Sequence, residues 1–98
     1  MPRILFLPGA GGSASFWRPV ADRLDADRPK RFFAWPGLGN EPADPNVHGF
    51  DDLVAIVLGE LFEPADIVAQ SMGGVVAIRA ALKAPDKVRR LVLTGTSG

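Results

Sequence analysis

Ser71 is the residue of this chain best placed for covalent chemistry. It follows a short apolar run, Asp66-Ile67-Val68-Ala69-Gln70, and precedes Met72-Gly73-Gly74-Val75-Val76-Ala77-Ile78, which opens a helical pattern. A serine on such a strand-to-helix corner can have its hydroxyl thrust outward from a strained backbone. That geometry requires small residues two before and two after it, because strand and helix backbones nearly touch. Ala69 and Gly73 meet the condition, and Gly74 extends it. A serine between strand and helix can also serve as an N-cap. Capping alone does not need small residues at −2, +2 and +3, so the spacing favours a nucleophile's position.

A serine hydroxyl attacks poorly unless a base takes its proton. The one histidine, His48, lies upstream in a polar loop and reads as a solvent-exposed loop residue. Downstream of Ser71 the one acid is Asp86, at a helix end ahead of the last strand rather than after it. Neither is expected to be Ser71's catalytic partner.

A second segment of chemical interest is the glycine-rich turn Gly9-Ala10-Gly11-Gly12-Ser13. Gly9-x-Gly11-x-x-Ala14, after a strand and before a helix, formally satisfies a dinucleotide-binding fingerprint, whose amides would hold a pyrophosphate. That chemistry also wants an acid at the end of the second strand for a ribose hydroxyl. Here the strand ends Ala34-Trp35-Pro36-Gly37, so nucleotide binding is the minor alternative. No Lys-Ser or Lys-Thr follows the glycines, which excludes a P-loop.

The elements that must carry these residues alternate in type. Arg3-Ile4-Leu5-Phe6-Leu7 is a continuous apolar run closed by Pro8-Gly9, as for a strand buried on both faces. A helix is expected from about Ser15 to Asp25, with Phe16, Trp17, Val20, Ala21 and Leu24 on one stripe. Ser13 or Ser15 could cap it, and Pro19 is tolerable only in or near its first turn. Lys30 to Trp35 is the second strand, followed by a polar, proline-rich loop from Leu38 to Gly49. Phe50, Leu53, Val54, Val57, Leu58 and Leu61 fall at helical spacing, with Asp51 and Asp52 suited to the positive end of the dipole. The Ser71 strand and helix come next, ending near Ala84-Pro85, and Val88 to Thr94 is a fourth strand. Four strands alternating with three helices predict a three-layer, mostly parallel, doubly wound α/β sheet.

With these elements in place, Ala69-Gln70-Ser71-Met72-Gly73 resembles the G-x-S-x-G nucleophile elbow of the α/β-hydrolase family, with Ala for the first Gly. The stretch from Arg3 to Gly98 looks like the first half of that fold's core. Pro8-Gly9-Ala10 is similar to the family's loop after the first core strand, except that Pro replaces the common His. Trp35-Pro36-Gly37-Leu38-Gly39 is similar to its P-G-x-G segment, with Trp35 where Asp is frequent. The resemblance implies Ser71 as nucleophile and the amides of Ala10 and Met72 as oxyanion donors, each worth about 3 kcal/mol to the barrier in acyl-transfer enzymes. Gly9, Gln70 and Trp35 are expected to line the acyl-substrate pocket. Ligands of open α/β sheets bind at the carboxyl ends of the strands, where Trp35 falls.

The family supplies its base as a late His, in the order Ser, acid, His. Residues 1–98 are therefore expected to form a single partial domain, incomplete at the carboxyl end and catalytically silent, or nearly so, as it stands. Its last strand is expected to present an unpaired apolar edge, favouring self-association. The remaining rival is a non-catalytic small-ligand-binding or interaction protein on the same fold. Zero formal charge, from 11 basic and 11 acidic residues, gives no electrostatic reason for nucleic acid or an anionic membrane as partner. The 47% hydrophobic content suits a globular core. Absence of cysteine excludes disulfides and thiolate chemistry, and with one His no metal or other cofactor is expected. The apolar run before Pro8 is too short for a signal core or a membrane span, making the cytoplasm the expected compartment.

Overall fold

The computed structural model describes residues 2–12, 15–24, 27–38 and 41–95. The features expected at Ser13, Ala14, Gly39 and the last three residues lie outside that set, as does the expected helix end at Asp25. Four parallel strands form one sheet: β1 (Arg3–Leu7), β2 (Lys30–Phe32), β3 (Ala65–Gln70) and β4 (Val88–Thr94), in the order β2-β1-β3-β4. Three helices connect them, α1 (Arg18–Ala21), α2 (Phe50–Glu60) and α3 (Met72–Lys83), with a 3-10 turn at Pro85–Lys87 before β4. This is the expected doubly wound α/β arrangement.

Register explains why β1 is apolar throughout. It pairs with β2 on one side and β3 on the other, Leu5 lying opposite both Arg31 and Ile67. Leu5 and Leu7 face α2 and α3, packing with Val54, Val57, Val76 and Ala77. Ile4 and Phe6 face the other way, with Trp17 and Ala21. Both sides of one strand are thus withdrawn from water, which continuous rather than alternating hydrophobicity provides.

α2 follows its predicted stripe: Leu53, Val54 and Val57 are buried, and Leu61 just beyond the helix is 4% exposed. The Asp52 carboxylate accepts from the backbone N–H groups of His48 (2.7 Å) and Gly49 (3.2 Å), satisfying donors at the helix start.

Two elements are shorter than expected. α1 is a single turn, with Pro19 in its first turn. Only Trp17 and Ala21 of the expected stripe are buried, whereas Phe16, Val20 and Leu24 are 45%, 43% and 41% exposed. A stripe lengthens a helix only where a surface receives it, and here just one turn meets the sheet. β2 leaves the ladder after Phe32. The Phe33 amide still donates to Phe6 O (2.9 Å), but Trp35 then turns into the core beneath α2 and α3.

β4 is one of the two outer strands among the described residues, β2 being the other. Val92 (51%) and Leu93 (37%) point to opposite faces of β4 and both are exposed. No helix of the described residues is long and apolar enough to cross a membrane.

Candidate active site

Ser71 stands between β3 and α3 with φ +54° and ψ −121°, the one non-glycine residue at positive φ among those described. L-residues enter that region at a cost of about 1–3 kcal/mol, and hold it only where surrounding structure enforces it. Enforcement comes from two sides. The Ser71 amide donates to Thr94 O at the end of β4 (3.0 Å), and Ser71 O accepts from Gly74 N (2.9 Å). Although Ser71 occupies the N-cap position, its side chain makes no capping hydrogen bond, and the residue is exposed. The hydroxyl is therefore available rather than spent on the helix.

The small neighbours are needed for the reason the sequence suggested, with one change of partner. A Cβ on Gly73 would overlap Pro8 O and lie 2.8 Å from Leu7 O. The close approach is thus between the first turn of α3 and the end of β1, the strand adjacent to β3. A Cβ on Gly9 would lie 3.2 Å from Ser71 Cβ and 2.8 Å from Gln70 Oε1. The glycine loop and the elbow are packed against each other, and a side chain at Gly9 would have to displace the Gln70 amide.

Beside Ser71 is a shallow depression of about 330 Å³, lined by Gly9, Ala10, Gly11, Gly12, Phe16 and Gln70. Gly9 and Gln70 are thus both at the depression, and the Gln70 side-chain oxygen accepts from Gly9 N (2.9 Å). Neither the Ala10 nor the Met72 amide donates in any turn, loop or cap hydrogen bond among the described residues. Phe16, read from sequence as a core residue, instead forms part of the rim. Its partial exposure follows from the shortness of α1, which periodicity did not reveal.

Trp35 is a correction. It is 1% exposed and does not line the depression; its indole N–H donates to Pro8 O at 2.8 Å. A strand that stayed in the ladder would have carried it to the sheet's rim, but departure after Phe32 turns the ring inward. The dinucleotide reading also loses its physical basis. Among the described residues, the chain after Gly12 has a turn at 15–17 and one helical turn at Arg18–Ala21. No helix amide end of the described residues stands at the glycines to hold a pyrophosphate.

His48 is exposed and is not in the depression. Asp86 lies in the turn before β4, and Val88 pairs with Ala65 at the start of β3. It is therefore at the opposite end of the sheet from Ser71, roughly 20 Å away at ~3.3 Å per strand residue. Among the described residues, no cluster of three or more His, Cys, Asp or Glu side chains could hold a metal ion.

A parallel sheet in the order β2-β1-β3-β4, with an exposed serine forced to positive φ between β3 and its helix, defines a class of hydrolase fold. The family model described as the alpha/beta hydrolase family matches residues 4–98, and the chain belongs to that family. It is 37% identical over 97 residues to a pimeloyl-[acyl-carrier protein] methyl ester esterase of Aromatoleum aromaticum, matching 98% of this chain and 38% of the relative. Among solved structures it is similar to a hydrolase from Pseudomonas aeruginosa PA01, with TM-score 0.84, 26% identity, and coverage of 98% of this chain and 38% of the other. It is similar too to an N-formylmaleamic acid deformylase from Pseudomonas putida S16, with TM-score 0.78, 26% identity, and coverage of 94% and 37%. The chain spans little more than a third of the length of these relatives.

Proposed function

We propose that this chain is the nucleophile-bearing part of a serine hydrolase acting on a small acyl substrate, with Ser71 as nucleophile. The observation that carries the reading is the Ser71 backbone at φ +54° with an exposed side chain that caps nothing. Strain retained at a polar, uncapped residue beside a depression is what a nucleophile's corner requires and a capping serine does not. In this reading Ser71 Oγ attacks the substrate's carbonyl carbon, and its proton passes to a base lying outside these 98 residues. The carbonyl oxygen, becoming an oxyanion, accepts from the amides of Ala10 and Met72. Gly9, Gln70 and Phe16 contact the acyl group.

Methyl ester cleavage and deformylation, the activities named for two of the similar proteins, concern different bonds. The ester is the better-supported substrate here, because the more identical of those relatives is named an esterase. The isolated 98-residue chain is read as a partial domain, silent toward esters because His48 does not line the depression beside Ser71 and Asp86 lies at the opposite end of the sheet. Its open β4 edge makes it self-associate.

The test uses a fluorophosphonate probe and a p-nitrophenyl ester with the native protein that carries this chain, beside its Ser71→Ala variant. Labelling and turnover that disappear in the variant are expected. Turnover that survives the substitution defeats the reading. Ester turnover by the purified 98-residue chain, abolished by Ser71→Ala, would overturn its silence alone.

A further inference from the structure

Three peptide units follow Leu7, and their polar atoms can be followed one at a time. The Leu7–Pro8 unit has no N–H, because residue 8 is proline. Its carbonyl, Leu7 O, accepts from the indole N–H of Trp17 (3.0 Å). The Pro8–Gly9 unit is held at both ends: Pro8 O accepts from the Trp35 indole (2.8 Å), and Gly9 N donates to Gln70 Oε1 (2.9 Å). In the Gly9–Ala10 unit, Gly9 O accepts from Gly12 N (3.1 Å). One atom remains. The Ala10 N–H makes none of the hydrogen bonds among the described residues, and Ala10 is exposed.

The three side chains reach this loop from different parts of the fold. Trp17 packs with Phe6 on the α1 face of the sheet, and Trp35 lies with Phe33 on the α2 and α3 face. Gln70 ends β3, one residue before Ser71. Both tryptophans are buried, at 8% and 1% exposure, so each indole must find an acceptor inside the protein. The carbonyls at the end of β1 supply those acceptors, and the indoles in turn fix the orientation of two successive peptide planes.

We propose that Trp17, Trp35 and Gln70 are positioning residues that preset the Ala10 amide as an oxyanion donor. This rests on the Ser71 hydrolase reading and names what holds one of its donors in place. The three act through the loop backbone. A donor fixed before substrate arrives costs no reorganisation as charge develops on the carbonyl oxygen, so the clamp acts on the transition state more than on ground-state binding.

The experiment uses the native protein that carries this chain. Trp35→Phe keeps an aromatic ring but removes the N–H, and Gln70→Leu keeps the bulk but removes the acceptor. Each is expected to lower kcat about tenfold or more, as for a donor displaced from its productive position, and in Trp35→Phe, whose ring does not line the depression, KM should stay within about twofold. Val88→Ala, destabilising from a half-buried position at the start of β4, at the opposite end of the sheet from the loop, controls for general loosening and should leave kcat within about twofold. Unchanged kcat in both clamp variants, or an equal loss in Val88→Ala, overturns the proposal. A readout independent of turnover is the ¹H–¹⁵N heteronuclear NOE of Ala10 in protein labelled at alanine. It should match that of Ala69 in β3 and fall in Trp35→Phe. A mobile Ala10 in the parent protein, or one unaffected by the substitution, sinks the clamp even if no hydrolysis is found. Turnover that persists in Ser71→Ala, by contrast, defeats the nucleophile and leaves the clamp to be judged by the NOE.

Discussion

Substituting Gly73 by alanine sets two effects of opposite sign against each other. Inside a helix the change ordinarily stabilises by about 1 kcal/mol, because glycine surrenders more backbone entropy on folding. At Gly73, however, the added Cβ would overlap Pro8 O and lie 2.8 Å from Leu7 O, where ordinary contact begins at 3.4 Å, so α3 must retreat from β1 by at least 0.6 Å. Both obstacles are backbone atoms, and Pro8 O is already committed to the Trp35 indole, so neither can step aside cheaply. Overpacking of a fixed interior costs about 1–3 kcal/mol. With backbone as the obstacle the upper part of that range applies, leaving a net loss of about 1–2 kcal/mol, or roughly 5–15 °C in Tm for a domain of this size. Gly59, exposed on α2 with open space where its Cβ would be, is the matched control. Gly59→Ala should gain about 1 kcal/mol. Thermal and urea melts followed by circular dichroism report both. A Gly73→Ala protein as stable as its parent, alongside a stabilised Gly59→Ala, would refute the claim that α3 presses on the end of β1.

Ser71→Gly should stabilise the protein by about 1 kcal/mol while removing the hydroxyl, since glycine adopts φ +54° without penalty; an unchanged urea midpoint would mean that the corner stores no strain. Asp66, 7% exposed and 2.6 Å from Arg28 through one oxygen, anchors the start of β3. Asp66→Ala leaves that arginine half of a broken buried pair and should cost about 3 kcal/mol in urea unfolding, whereas a loss below about 1 kcal/mol would place the pair among the weak surface contacts. Val92→Lys, on the more exposed of the two faces of β4, should reduce self-association of the 98-residue chain by placing a charge on the open edge. Sedimentation velocity measures it, and an unshifted oligomer distribution would move the contact elsewhere.

Patterning alone was enough for the order of the elements, the parallel sheet and the corner at Ser71. β1 and β3 are apolar on both faces, α2 repeats every three to four residues, and Ala69, Gly73 and Gly74 are small where two backbones converge. Each of these is a local requirement written in neighbouring residues. The fate of the tryptophans was not local. Trp35 sits at a strand's carboxyl end, where a rim residue also sits, and only the chain's departure from the ladder after Phe32 sends its indole to Pro8 O. The length of α1 was equally hidden, because a stripe shows which residues could face a core but not how much surface is there to cover them. Sequence thus named the serine and the loop, since their chemistry depends on residue type and spacing. Tertiary structure decided what fixes them relative to one another, because Trp17, Trp35 and Gln70 meet the end of β1 through contacts up to 61 positions apart in the chain.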